Sequence, residues 1–177
     1  TGNPDRLTVD VGPVITAEAR DGINAHIEEM RGRGRAVTQL GLPTLAQEGA
    51  YVPPTLIEIN DILELGREVF GPVLHVVRFQ RKNLDALIEK INALGYGLTF
   101  GLHTRIDTTI AEVSSKIEVG NIYVNRNQIG AVVGVQPFGG HGLSGTGPKA
   151  GGPLYLRRLV RTTSQTATVA QARSAGV

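Results

Sequence analysis

The chain has 177 residues, 41% of them hydrophobic, with 18 basic and 16 acidic side chains and a net charge of +2. That is enough apolar material for one domain, or most of one, and too even a charge to point to nucleic acid or a membrane surface. With no cysteine, disulfides, cysteine-based zinc sites and a cysteine nucleophile are excluded within this sequence.

No signal peptide is visible, and no apolar run reaches the roughly 18 residues that a membrane span needs. The first residue is Thr1 rather than Met, so a piece of a longer polypeptide is expected.

Residues 1–15 read as turn and loop, punctuated by Asn3-Pro4 and Gly12-Pro13. Thr16 is placed to cap a helix over Ala17–Met30, with Ile23, Ile27 and Met30 on one face. The basic run Arg31–Arg35 reads as the solvated end of that helix. Arg35–Leu40 and Tyr51–Ile59 read as strands, the second limited in its first half by Pro53 and Pro54. Pro72–Phe79 is nearly all apolar and β-branched, the pattern of a strand buried on both faces.

Asn83 is expected to cap a helix over Leu84–Leu94, and Asp107 one over Thr108–Glu118. Leu98–Thr104 and Asn121–Asn125 read as strands around the second of these. Leu154–Val160 reads as a short helix or strand. Strands joined by helices of this length imply an α/β fold with a largely parallel sheet and crossover helices. Residues 1–160 form the expected domain part, with Arg161–Val169 as an exposed strand and Ala170–Val177 as a frayed tail.

Nine of the 23 residues from Gly130 to Gly152 are glycine, a density that no helix or ordinary strand tolerates cheaply. A P-loop reading fails on spacing, because Gly142 and Gly147 are followed by Pro148, with Lys149 one position late. Gly145, Gly147 and Ala150 fit the letters of a dinucleotide fingerprint, but no apolar strand leads in and no helix leads out. Two readings stay open: a loop whose backbone N–H groups bind an anion, and a glycine-rich crossover packed on a sheet.

Glu68-Val69-Phe70-Gly71-Pro72 is a second constellation. Glu68 and Phe70 point the same way if the segment is extended, which suits a sugar diol beside a planar ring. The alternative is an exposed Glu before a core Phe. Of the four histidines, His26 lies on a helix, His75 and His103 read as structural strand residues, and His141 lies on the loop within reach of a ligand. Ser144 has no visible base partner.

The blocks EVFGP (68–72), YGLTFGLHT (96–104), GNIYVN (120–125) and QPFGGHGLSGTG (136–147) resemble the aldehyde dehydrogenase superfamily, in the same order. The opening, residues 2–15, resembles the stretch that follows its catalytic cysteine region. NRNQIGAVVGVQPFGG (125–140) with GTGPKAGGPLYL (145–156) is similar to the L-glutamate γ-semialdehyde (1-pyrroline-5-carboxylate) dehydrogenase branch, above all to the C-terminal half of bifunctional proline-utilisation flavoenzymes. The match covers about residues 2–160.

The resemblance implies the C-terminal part of a catalytic domain in proline catabolism. Glu68 then binds the ribose next to the nicotinamide of NAD, and Phe70 packs near the nicotinamide ring. Gly130 and Ala131 offer N–H groups to the substrate's α-carboxylate, and Phe138 packs on its aliphatic chain. No metal site is implied, and FAD belongs only to a proline dehydrogenase domain outside this chain.

The implied partners are a small aldehyde substrate, the N-terminal part of the same enzyme and, in the intact protein, further copies of it. The implied location is cytoplasmic, with membrane association in the bifunctional form. The family's nucleophilic cysteine is not in this sequence, so no catalytic residue is assigned and the chain is expected to be inactive alone. A non-catalytic binding module with the same fold is the alternative.

Overall fold

A computed structural model describes residues 1–46, 48–129, 132, 135 and 139–145. Two compact units divide the chain, Thr1–Phe79 and Gln80–Val177, each with its own apolar core.

In the first unit, helix α1 (Ala17–Gly32) starts at Thr16, whose hydroxyl accepts the Ala19 N–H at 3.2 Å. That bond satisfies one of the orphan donors of the first turn. Ile23, Ile27 and Met30 are all buried, as their spacing predicts, and pack with Val52, Ile57 and Ile59. The Arg31–Arg35 run is the helix end expected of it: Arg31 pairs with Glu28, Arg33 with Glu29 and Arg35 with Glu64.

Strands β1 (Ala36–Gln39), β2 (Thr55–Ile59) and β3 (Val73–Val77) form one sheet in that order. The β2–β3 ladder is parallel and the β1–β2 ladder antiparallel, so the α/β class holds with a mixed sheet. β2 begins at Thr55, directly after the two prolines, and the Thr55 N–H donates to the Pro72 carbonyl at 2.9 Å. Burial of β3 on both faces is not observed. Val73 and Val77 pack on the α1 core, whereas Leu74, on the other face, is 60% exposed. Within this unit the sheet carries its core on one side only.

In the second unit, a 3-10 turn (Arg81–Asn83) runs into α2 (Leu84–Ala93), followed by β4 (Tyr96–Gly97), β5 (Thr99–Leu102), α3 (Asp107–Lys116), β6 (Asn121–Val124) and β7 (His141–Gly142). Asn83 occupies the cap position but makes no side-chain cap bond. The third helix starts one residue early, with Ile106 in the cap position. In place of those caps, Asn92 of α2 closes the far end of α3: its amide donates to the Lys116 carbonyl at 2.9 Å and accepts the Glu118 N–H at 3.0 Å.

β5 and β6 pair in parallel, joined by α3 as the expected crossover, and β4 pairs antiparallel with β7. Ile88, Val113 and Ile117 form the core, with Phe100, Leu102 and Ile122 of the sheet packed on it. Expectations for Leu154–Val160, Arg161–Val169 and the tail lie outside the described residues.

Candidate functional site

Two features bear on function, one in each unit. In the first, a capped 3-10 turn (Ile62–Glu64) leads into residues 65–72. The Asp61 carboxylate accepts the Leu63 N–H at 3.0 Å, and Glu64 accepts the N–H groups of Asn60 and Asp61 at 3.0 and 3.1 Å. Glu64 also takes the Arg35 guanidinium at 2.7 Å. Burial pushes the Glu64 carboxyl up, but the Arg35 and backbone bonds outweigh it and hold the group below the usual carboxylate range.

From that fixed turn the chain continues to β3 with bends at Arg67 and at Gly71-Pro72. Leu65 and Val69 pack onto the α1 core. A side chain at Gly71 would press on the tip of the Ile23 side chain and require it to shift, so glycine here suits the close approach of α1 to the chain just before β3. With Val69 turned inward, Glu68 and Phe70 on either side of it are exposed, Phe70 to 84%. This settles one alternative, because Phe70 is not a core residue. No described residue hydrogen-bonds to Glu68. An exposed ring and an uncommitted carboxylate therefore share one side of an anchored segment.

In the second unit the glycine-rich loop leaves the C-terminal end of β6 and returns to its N-terminal end. The outgoing foot is Asn125, whose left-handed backbone (φ 55°) bends the chain away. Its side chain closes two bonds with one residue, accepting the Thr104 N–H and donating to the Thr104 carbonyl, each at 2.9 Å. Gln128 then lies over Gly101 of β5, against the place a side chain there would take. The Arg126 guanidinium sits 5.2 Å from the Tyr123 ring centre, a cation–π contact.

The returning foot is held more tightly. Asn121, buried, donates to the Leu98 carbonyl at 3.1 Å and to the Gly139 carbonyl at 3.2 Å. Ser144 accepts the Gly97 N–H at 3.0 Å, and the Leu143 N–H reaches the Gly95 carbonyl at 2.8 Å. A Cβ on Gly120 would strike the Gly139 carbonyl. Asn121 and Tyr123 share the face of β6 that looks away from the helices. There the Asn121 Oδ1 and Tyr123 Oη are buried with no hydrogen-bond partner among the described residues.

Gly130, Ala131 and Phe138, the residues expected to meet the substrate, lie outside the described residues. Sequence reasoning missed the feet: Asn121, Asn125, Thr104 and the structural use of Ser144. A polar residue at each end of an apolar strand next to a glycine-rich run is the signal that could have found Asn121 and Asn125. His103 is exposed and lies beyond the end of β5, not within a strand, whereas His141 lies in β7 opposite Gly97. His26 and His75 face one another, which their separation in sequence gave no reason to expect.

The family profile described as "Aldehyde dehydrogenase family" matches residues 1–164. The chain belongs to the aldehyde dehydrogenase family. It is 66% identical over 159 residues to the bifunctional protein PutA of Rhizobium meliloti, covering 90% of this chain and 13% of that protein. It is 39% identical over 158 residues to 1-pyrroline-5-carboxylate dehydrogenase 1 of Halalkalibacterium halodurans, covering 88% of this chain and 30% of that one. The fold superposes on the crystal structure of a Bradyrhizobium japonicum proline utilization A variant with a TM-score of 0.81, at 52% identity, over 89% of this chain and 16% of that structure.

This aldehyde dehydrogenase chain therefore spans a minor part of the relatives it matches. Among its described residues, no helix is long and apolar enough to cross a membrane.

Proposed function

We propose that the chain is part of an NAD-dependent aldehyde dehydrogenase that oxidises L-glutamate γ-semialdehyde, formed from 1-pyrroline-5-carboxylate, to L-glutamate. The observation that carries this reading is the double similarity. A structure named for proline utilisation and a relative named for 1-pyrroline-5-carboxylate dehydrogenation both align with about nine-tenths of this chain.

The residues present fit the cofactor. Glu68 is exposed with no hydrogen bond committed elsewhere, and a carboxylate accepts bonds from a ribose diol. Phe70 offers an open ring face to a flat heterocycle, on a segment that Val69 and Gly71 keep in place. NAD, when bound, takes the hydride from the aldehyde carbon.

The loop between Asn125 and Gly139 contributes binding. Gly130 and Ala131 present N–H groups to the substrate's carboxylate, and Phe138 covers its methylene chain. Charge-assisted bonds from fixed N–H donors are stronger than neutral ones and require little reorganisation. The nucleophile of the reaction is a thiolate, and this sequence has no cysteine, so the covalent step uses a residue outside it. The outer face of the β1–β3 sheet, with Leu56 and Leu74 exposed, is the seat for the rest of the same catalytic domain.

The test is Ala131→Asp in the intact enzyme. A carboxylate at the anchor opposes the substrate's own, so KM for the semialdehyde rises at least about tenfold while KM for NAD stays within about twofold, a loss of ground-state binding. Unchanged KM for the semialdehyde refutes the anchor. The 177-residue chain alone yields no NADH with this substrate.

A further inference from the structure

Within the first unit, the Nε2 atoms of His26 on α1 and His75 on β3 are 2.8 Å apart. The rings meet edge to face, with centres 5.1 Å apart and planes at 68°. His26 is buried and His75 half-buried. No other described side-chain hydrogen bond joins this helix to this strand. We propose that the pair is an acid-released clasp that fastens α1 to β3, and with it the chain leading into β3.

The argument is one of proton counting. Two imidazoles share a hydrogen bond only if one carries the proton on Nε2 and the other a lone pair there. One added proton can go to the outer nitrogen of the donor, which becomes an imidazolium and keeps its bond. The second must go to the accepting Nε2, where it removes the lone pair and sets two cationic N–H groups head to head. The clasp therefore survives a first protonation and opens at the second.

The surroundings do little to ease that step. On α1, Glu29 favours a charged His26 and Arg33 opposes it, and those two are themselves paired at 2.5 Å. From the stretch before β3, Arg67 also opposes it, and Glu64 is committed to Arg35. From β2, the residue in register with His75 is Ile57, fully buried and uncharged.

Burial holds His26 below the ordinary imidazole range; Glu29 partly offsets it, and Arg67 and Arg33 each add a smaller push downward. Burial, then His26 itself, does the same for His75. A depressed folded-state pKa means that the unfolded chain binds more protons. The stability contributed by the pair is thus complete above the ordinary imidazole pKa of about 6.5 and declines as pH falls below it.

Water has access to the clasp. A cavity of about 400 Å³ beside it is lined by His26, Met30, Leu63, Leu65, Gly66 and Arg67, among others. The same stretch leads to Glu68 and Phe70, and Gly71 touches Ile23 of α1. Opening the clasp removes a polar tie close to that contact.

The test uses the full chain. Imidazole nitrogen resonances are followed from about pH 7.5 to 5, with amide hydrogen exchange corrected for intrinsic rate. One ring is expected to protonate before the other. Protection of the α1 and β3 amides should fall by about threefold to tenfold between about pH 6.5 and the second titration, the equilibrium worth of one net hydrogen bond, while the β5 and β6 amides are unmoved.

In His75→Gln a side-chain amide can still bond to His26 but cannot take the second proton, so the pH dependence flattens. Two rings titrating independently in the ordinary range, with α1 protection constant in the wild-type chain, overturns the proposal. So does His75→Gln with an unaltered pH profile.

Discussion

Asn125 offers the sharpest test of how the loop is held, because backbone strain and hydrogen bonding can be separated there. Its side chain makes two bonds with the backbone of Thr104, and its φ of 55° lies in the left-handed region. Asn visits that region at low cost, and most other L-residues do not. Asn125→Gly removes both bonds but no strain. At about 0.5–1.5 kcal/mol net each, and at a site open to water, the loss is about 1–2 kcal/mol. Asn125→Ala removes the same bonds and adds about 1–2 kcal/mol of left-handed strain. Glycine loses about 0.4–1 kcal/mol through its freer unfolded chain, so Asn125→Ala comes out worse than Asn125→Gly by roughly 1 kcal/mol, about a fivefold difference in opening. The assay is native-state hydrogen exchange at the Thr104 amide and at the Asn125 amide, which donates to Leu102 at 2.9 Å. Equal opening in the two variants refutes the strain argument, and wild-type protection in both refutes the clamp.

Gly120→Ala should loosen the returning foot of the loop, because its Cβ meets the Gly139 carbonyl. Overpacking against backbone costs about 1–3 kcal/mol, read as faster exchange at the Gly97 and Leu143 amides. Gly22→Ala is the opposite case: it lies inside α1 with open space at its Cβ, so it should raise the stability of the first unit by about 0.5–1 kcal/mol, measured by denaturant unfolding. Glu64→Gln keeps an acceptor oxygen for the Asn60 and Asp61 amides but loses the charge and the Arg35 pair, so protection at both amides should be weaker at neutral pH. The Glu64 carboxyl is depressed on folding, so its contribution is present above the ordinary carboxylate pKa and is lost as pH falls through the folded value. The wild-type chain should therefore lose protection at these two amides on acidification, and the variant should show no such step.

What could be read from sequence was what local spacing controls. Thr16 with Ile23, Ile27 and Met30 specified α1 almost to the residue, because a cap and one apolar face are both local properties. The exposure of Phe70 was not legible: the residues pointed equally to a core Phe, and only the packing of Val69 in the structure turned Phe70 outward. Asn83 and Asp107 failed as caps for local reasons: a 3-10 turn, Arg81–Asn83, runs straight into α2, and α3 starts one residue early at Asp107, with Ile106 in the cap position. The double-sided burial expected for β3 failed because a mostly apolar strand announces burial without saying what supplies the cover. His26 with His75, and Asn125 with Thr104, are contacts between distant positions, and no periodicity in one chain encodes them.

The exposure of Phe70 and that of Leu74 are one physical question. Leaving a large apolar side chain in water forgoes about 1.5–3 kcal/mol relative to burying it, and scattered single cases are ordinary on a protein surface. Here the exposed groups are neither scattered nor loosely held. Phe70 stands on a segment anchored through Val69, Gly71 and the capped turn at Asp61. Leu74 and Leu56 line an apolar groove of about 470 Å³ with Leu40, Pro54 and Pro72 on the uncovered side of the same sheet. A chain that merely tolerated exposed side chains would not also hold them in fixed positions. Rigid presentation lowers the ordering cost of whatever is bound. The proposed function supplies an occupant for each: a flat ring over Phe70 and further polypeptide over the groove.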